Sequence, residues 1–215
     1  MVRADGTLVI GGFEPFTTVD FPGRLAAVVF CQGCPWRCRY CHNPHLQRVG
    51  LKRPVWTWAR VLGALAERRG FLDAVVFSGG EPTMQAGLGR AMSEVGRLGY
   101  AIGLHTAGIF PHRLEKVLPF LDWVGLDIKA PFDVRYQRIT GRRDSGDRAS
   151  SSLELVLASG VAFELRTTVH PALLGPADVD EINAELQGRS APSTRVQPFR
   201  PVGCRDAELV ARAGG

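Results

Sequence analysis

Residues 25–44 read LAAVVFCQGCPWRCRYCHNP. The opening six residues form a continuous apolar run of strand length, the pattern of a strand buried on both faces. Cys34, Cys38 and Cys41 follow directly with CxxxCxxC spacing, at the C-terminal end of that strand. In parallel α/β architectures this end of the sheet carries the chemistry.

Further apolar runs of the same kind end at Phe77 (residues 73–77), His105 (100–105), Ile128 (123–128) and Val169 (161–169), with a weaker one at 193–197. Helix-like stretches at 57–69, 83–98, 111–118, 151–159 and 177–186 separate them, several opening with Thr, Ser or Pro as start signals. Strand–helix alternation implies a parallel sheet with helical crossovers. Six repeats fall short of the eight that close a barrel of about 250 residues. The expected fold is therefore α/β, an open, partial (β/α)6 TIM-like barrel. A single domain is expected over 1–215, with a strand-and-turn extension at 1–24, the barrel at 25–200 and a tail at 201–215. In the extension, Gly11, Gly12, Pro15 and Pro22 punctuate regular structure, and GRRDSGDRASSS at 141–152 reads as a mobile loop.

The chain of 215 residues is 45% hydrophobic and 22% charged, near the averages for soluble domains. No apolar run approaches the roughly 20 residues that span a bilayer. The N-terminus shows no apolar core or cleavage site of a leader, so a cytoplasmic location away from membranes is expected. The net charge of +5 includes the pairs Arg68–Arg69 and Arg142–Arg143 with acidic residues interleaved through most of the chain. Without a basic stripe interleaved with aromatics, nucleic acid is not an expected partner; a mildly basic face can instead dock an acidic protein.

Five cysteines are an odd number, and four of them crowd into residues 31–41, which suits a metal better than a disulfide framework. Four thiolates normally satisfy a [4Fe–4S] cluster. Three leave one iron open to a substrate or cofactor. Two other readings use the same residues: a structural zinc site drawing on Cys31, Cys34, Cys38, Cys41 or His42, and an electron carrier with Cys31 as fourth ligand. Cys31 and Cys204 otherwise read as small buried hydrophobes.

CxxxCxxC with Tyr40 before its last cysteine, preceded by QG and followed by HNP, resembles the radical S-adenosylmethionine superfamily. Within it, GGFEPFTTVDFPGRLAAVVFCQGCPWRCRYCHNP at 11–44 resembles activating enzymes of the anaerobic ribonucleoside-triphosphate reductase and, more distantly, the pyruvate formate-lyase activating enzyme. The resemblance runs from Gly11 to about Cys204. It implies a [4Fe–4S] cluster on Cys34, Cys38 and Cys41, with S-adenosyl-L-methionine chelating the unique iron. Reductive cleavage of the carbon–sulfur bond would give a 5′-deoxyadenosyl radical that abstracts hydrogen. His42 and Asn43 would shape the cluster loop.

The remaining cofactor residues are assigned on the same ground. Gly79, Gly80, Glu81 and Pro82 resemble the GGEP motif that receives the methionine amino group; without the resemblance, Glu81 is a solvated first-turn acid. Asp127 and Lys129 lie two apart on a strand and so share a face. A buried ion pair is one reading, and the family's DxK motif another, with Lys129 on the methionine carboxylate or ribose. Arg166 matches a position that holds the same carboxylate, for which an Arg fork is well suited. At Thr106 the chain has HTAG where the pyruvate formate-lyase activating enzymes have DTNG, so His105 stands in place of the acid on which an Asp-based cation site would rest. His105 also reads as a satisfied core histidine. Arg200 stands where that relative has a histidine.

The resemblance implies an activase that installs a glycyl radical on an anaerobic ribonucleotide reductase or another glycyl-radical enzyme, reduced by flavodoxin or ferredoxin. A small-molecule radical enzyme, as in the compact carboxy-deazaguanine synthase group, and an iron–sulfur carrier without turnover are the competing classes.

Overall fold

A computed structural model describes residues 7–49 and 56–212. Residues 1–6, read above for a leader, and the last three residues of the 201–215 tail lie outside the described residues. The elements in chain order are β1 (Ile10–Thr17), β2 (Ala26–Cys31), α1 (Trp58–Ala66), β3 (Ala74–Gly79), α2 (Leu88–Arg97), β4 (Ala101–Thr106), α3 (Pro111–Val117), β5 (Trp123–Asp127), α4 (Val134–Thr140), α5 (Ser145–Ala158), β6 (Ala162–Val169), α6 (Pro176–Gln187), β7 (Arg195–Pro198) and α7 (Ala207–Ala211).

The seven strands form one sheet in sequence order. β1 pairs antiparallel with β2, and β2 to β7 are parallel throughout. Six parallel strands with helical crossovers make the open, partial barrel that the alternation implies.

Strand periodicity sorts the side chains into two layers. Ala27, Val29, Val75, Phe77, Ile102, Leu104, Val124, Leu126 and Leu165 point outward into the main core beneath the helices. Burying each large apolar side chain of this set contributes about 1.5–3 kcal/mol. Their inward neighbours Ala26, Val28, Ala74, Val76 and Trp123 close the floor of the barrel around Phe21, which enters from the β1–β2 turn. The Phe21 ring lies 5.4 Å from that of Trp123. Gly103 makes room for it, since a Cβ there would stand 2.9 Å from the Phe21 ring. Above this floor the inward positions turn polar, so the site forms at the C-terminal ends of the strands.

The structure corrects three sequence expectations. The supposed mobile loop at 141–152 is mostly the first half of α5, whose Ser145 and Ser152 are wholly buried. Ser145 Oγ donates to the carbonyl of Arg142 at 2.7 Å, and Ser152 Oγ to that of Gly108 at 2.8 Å. Polar composition misled there because these hydroxyls find internal acceptors. The helix expected over 83–98 is broken at Gln85–Gly87 into a 3₁₀ turn (Pro82–Met84) and α2. In the 201–215 tail, α7 is held by Asp206, which caps Leu209 N at 3.2 Å and pairs with Arg39 at 2.7 Å.

Candidate active site

The cysteine loop between β2 and α1 is fixed on both arms by hydrogen bonds. On the first arm, Gly33 N donates to Leu46 O at 2.7 Å and Cys34 N to Gln47 O at 3.3 Å. Gln32 Nε2 holds the carbonyls of His45 and Arg48 at 3.0 and 2.8 Å. On the second arm, Arg37 N and Arg39 N donate to Thr140 O and Ile139 O at 2.8 and 3.1 Å. Those two acceptors are terminal carbonyls of α4, which lack partners within their own helix. A short helix absent from the sequence reading thus anchors the loop, and Gly141 ends it in the left-handed conformation at φ 72°. Trp36, 2% exposed, wedges the loop edge-on against Tyr136 with ring centroids 6.0 Å apart.

Cys34, Cys38 and Cys41 line one cavity of about 650 Å³ at the mouth of the barrel. Burial pushes the Cys34 and Cys38 thiols up to about 12 and about 11, so both are protonated at pH 7 in the metal-free chain and metal binding would have to displace those protons. Among the described residues no group of three or more His, Cys, Asp and Glu side chains is arranged to hold a single metal ion. The three thiols share a cavity, an arrangement that suits a cube whose thiolates bind separate irons. His42 Nε2, in this loop, is a buried nitrogen without a hydrogen-bond partner among the described residues. Donor chemistry and cavity together fit a [4Fe–4S] cluster.

Cys31 stays apart from this set. Its side chain is fully buried in the outward core, and burial raises its thiol above the ordinary range. Cys204 is half-buried behind the loop, its Sγ 3.4 Å from the carbonyl of Arg39.

Of the other residues expected in the site, Tyr40, Asn43, Gly79, Gly80, Thr106, Asp127, Lys129 and Arg166 line the same cavity. Glu81 and Pro82 do not. Glu81 is wholly buried, and its carboxylate accepts from Thr83 Oγ1 at 2.6 Å, Thr106 Oγ1 at 2.7 Å, Thr83 N at 3.1 Å and Ala107 N at 3.0 Å. Burial lifts its carboxyl above the ordinary glutamate value against the pull of those donors. With these donors turned onto it, three to Oε1 and one to Oε2, Glu81 ties the ends of β3 and β4 together and does not face the cavity. The alternative reading of Glu81 as a solvated acid does not hold either, since the side chain is wholly buried.

Gly79 and Gly80 serve a purpose beyond close approach to a ligand. A Cβ on Gly79, at φ +114°, would stand 2.5 Å from Cys31 N, and one on Gly80 would strike the carbonyls of Gly33 and Leu46. Gly80 N donates to Cys31 O and Glu81 N to Gly33 O, each at 2.8 Å. The glycines therefore dock the end of β3 against the cysteine loop while facing the cavity.

Asp127, Lys129 and Arg166 form a charged triad on the cavity wall. Arg166 Nη2 lies 2.9 Å and Lys129 Nζ 3.4 Å from the Asp127 carboxylate. Burial opposes ionisation of Asp127, but Lys129 and Arg166 outweigh it and hold the carboxyl below its usual value. Burial likewise opposes the charge on Lys129; Tyr40, Asp127 and Cys38 outweigh it and raise the ammonium well above the usual lysine value. The Tyr40 ring lies beneath Lys129 Nζ, 5.6 Å from centroid. Two cations against one carboxylate leave an excess positive charge facing the cavity, which suits an anionic ligand group.

His105 is a satisfied interior histidine. Its Nε2 donates to the carbonyl of Asp20 at 2.8 Å, and Nδ1 faces Ser78 Oγ at 3.4 Å. Burial, reinforced by Arg166, pushes it down to about 4, so it is neutral at pH 7. It latches the β1–β2 turn to the barrel. Arg200 reaches the cavity rim, as do Asp20, Trp36, Ser78, Glu164 and Arg195, which the motifs did not mark. Of these, Ser78, Glu164 and Arg195 could have been found from the inward period-two phase of their strands.

Residues 28–182 match the Radical SAM superfamily. The chain belongs to that superfamily. It is accordingly an oxidoreductase-type enzyme that works by radical chemistry with S-adenosylmethionine. A putative glycyl-radical enzyme activating enzyme of Methanocaldococcus jannaschii is 28% identical, over 94% of this chain and 84% of the relative. The pyruvate formate-lyase-activating enzyme of Clostridium pasteurianum is 33% identical, over 76% of this chain and 69% of the relative. Among solved structures, that of TYW1 with a lysine-pyruvate adduct bound superimposes with a TM-score of 0.61 over 86% of this chain and 68% of that one; at 16% identity it speaks for the radical SAM fold alone. No helix among the described residues is long and apolar enough to cross a membrane.

Proposed function

We propose that this radical SAM enzyme installs a glycyl radical on a protein substrate, an anaerobic ribonucleoside-triphosphate reductase. The observation that carries the reading is the near end-to-end match to a relative described as a putative glycyl-radical enzyme activating enzyme, covering 94% of this chain. The resemblance of residues 11–44 to reductase activases narrows the substrate.

When bound, the cluster and S-adenosylmethionine supply a one-electron cleavage of the carbon–sulfur bond and a hydrogen-abstracting adenosyl fragment. The chain's own residues do the rest. Cys34, Cys38 and Cys41 hold the cluster on a loop that two flanking elements immobilise. Lys129 and Arg166 orient the methionine carboxylate, with Asp127 fixing both cations. The backbone at Gly79 and Gly80 takes the amino end, while Trp36 and Tyr136 exclude water behind the loop.

The cavity is lined by Val19, Asp20 and Pro22 of the β1–β2 turn and, at the free β7 edge of the sheet, by Arg195 to Pro198. Val19, in that turn, is 84% exposed. A cavity reaching a free sheet edge admits a loop of a folded protein.

The test is anaerobic incubation of reduced enzyme and S-adenosylmethionine with a glycyl-radical ribonucleotide reductase. A glycyl doublet by paramagnetic resonance, with matching deoxyadenosine, is the expected result. Deoxyadenosine without a glycyl signal on any such reductase would overturn the substrate assignment and leave the radical chemistry standing.

A further inference from the structure

The arginine pair at 142–143 has no role in the site, yet the fold carries it to the outer side of the cysteine loop. Arg142 Nε donates to Pro35 O at 3.2 Å, and the Arg37 guanidinium donates to Cys34 O at 2.6 Å and Trp36 O at 2.9 Å. Arg138 occupies the last turn of α4, immediately before the Gly141 cap. All four arginines are exposed. The acids beside them are paired first with other arginines: Asp144 with Arg148 and Asp133 with Arg135, each also feeling the charge of Arg142 or Arg138 in turn, and Asp206 and Glu208 with Arg39. Four cations with no ion pair within 4 Å among the described residues therefore surround the exposed side of the loop that carries Cys34 and Cys38.

We propose that Arg37, Arg138, Arg142 and Arg143 form the docking surface for an acidic one-electron carrier protein of the flavodoxin kind. The inference rests on the cluster assignment made above and adds where its electron arrives. None of the four arginines lines the cavity. A partner seated on this patch meets the outer side of the cysteine loop through side chains that do not line the cavity. Access to the cluster without access to the radical chemistry is what a donor requires and what a protein substrate cannot use. A reduced carrier docked there gives up one electron, which the oxidised cluster takes up; no bond forms or breaks. Complementary charge speeds such encounters and makes them salt-dependent.

The experiment uses the reconstituted holoenzyme, an acidic flavodoxin as probe, and the variant R138E/R143E, whose two side chains make no hydrogen bond to the cysteine loop. Flavodoxin binding is followed by calorimetry at low and high salt, and cluster reduction by stopped-flow absorbance with either flavodoxin or dithionite. The reversal should weaken flavodoxin binding and slow reduction by flavodoxin about tenfold or more. Reduction by dithionite and affinity for the glycyl-radical reductase should be unchanged. Flavodoxin binding and reduction equal to the parent protein's would overturn the proposal, as would an equal loss of reductase affinity, which would make the patch a substrate surface. Failure of dithionite-reduced enzyme to cleave S-adenosylmethionine would instead count against the radical reading, and binding to the patch would still be decided by calorimetry.

Discussion

Asp127 and Arg166 are register partners across β5 and β6, and the Arg166 guanidinium donates to Asp127 Oδ1 from Nε at 3.2 Å and from Nη2 at 2.9 Å. The second carboxylate oxygen takes Lys129 Nζ at 3.4 Å. Gly125 makes this possible, because a Cβ there would stand 2.8 Å from Arg166 Cζ. Asp127→Asn leaves two buried cations without their anion. Losing a fully buried partner costs about 3–5 kcal/mol, but the Asp127 side chain keeps 35% exposure. A loss of about 1–3 kcal/mol is expected by denaturant titration, with weaker S-adenosylmethionine binding as the two cations lose their fixed spacing.

Gly80→Ala tests the docking of β3 on the cysteine loop. A methyl group there meets the carbonyls of Gly33 and Leu46, backbone atoms that cannot swing aside. The variant should lose about 1–3 kcal/mol of stability and reconstitute less iron, as iron analysis would register. Full iron loading at parental stability would mean that the contact is not a constraint.

His105 makes stability depend on pH. Its value in the folded chain is depressed to about 4 from an ordinary 6.5, so the unfolded chain binds the extra proton first. The contribution is fully present above pH 6.5 and is lost as pH falls from there to about 4. Partial exposure to the cavity discounts the effect to about 1–3 kcal/mol. Denaturation curves of the parent and of His105→Gln between pH 7 and 4 should converge as the parent loses this term; parallel curves would assign the acid lability to another group.

Much of the barrel is legible in the sequence because its parallel strands are buried on both faces. LAAVVF, DAVVF and WVGLDI stand out as apolar runs, and the observed strands depart from the expected spans by one or two residues. The cysteines are equally legible, since their spacing is local. What fails is whatever depends on distant partners. Ser145 and Ser152 look like loop residues until their carbonyl acceptors are in place. The helix α4 is short and polar on one side, and its terminal carbonyls find their donors in the amides of Arg37 and Arg39, far away in sequence. Glu81 reads as a ligand or a solvated acid because nothing local announces the Thr106 and Ala107 donors across the strand.

The cluster assignment is tested most directly by iron and sulfide analysis of anaerobically reconstituted protein, comparing Cys38→Ala with Cys31→Ala. The parent and Cys31→Ala should each hold about four irons and four sulfides per chain, and Cys38→Ala should lose most of both with its visible absorption. Stoichiometric zinc in the parent, or equal loss of iron in the two variants, would contradict a cluster held by Cys34, Cys38 and Cys41 alone.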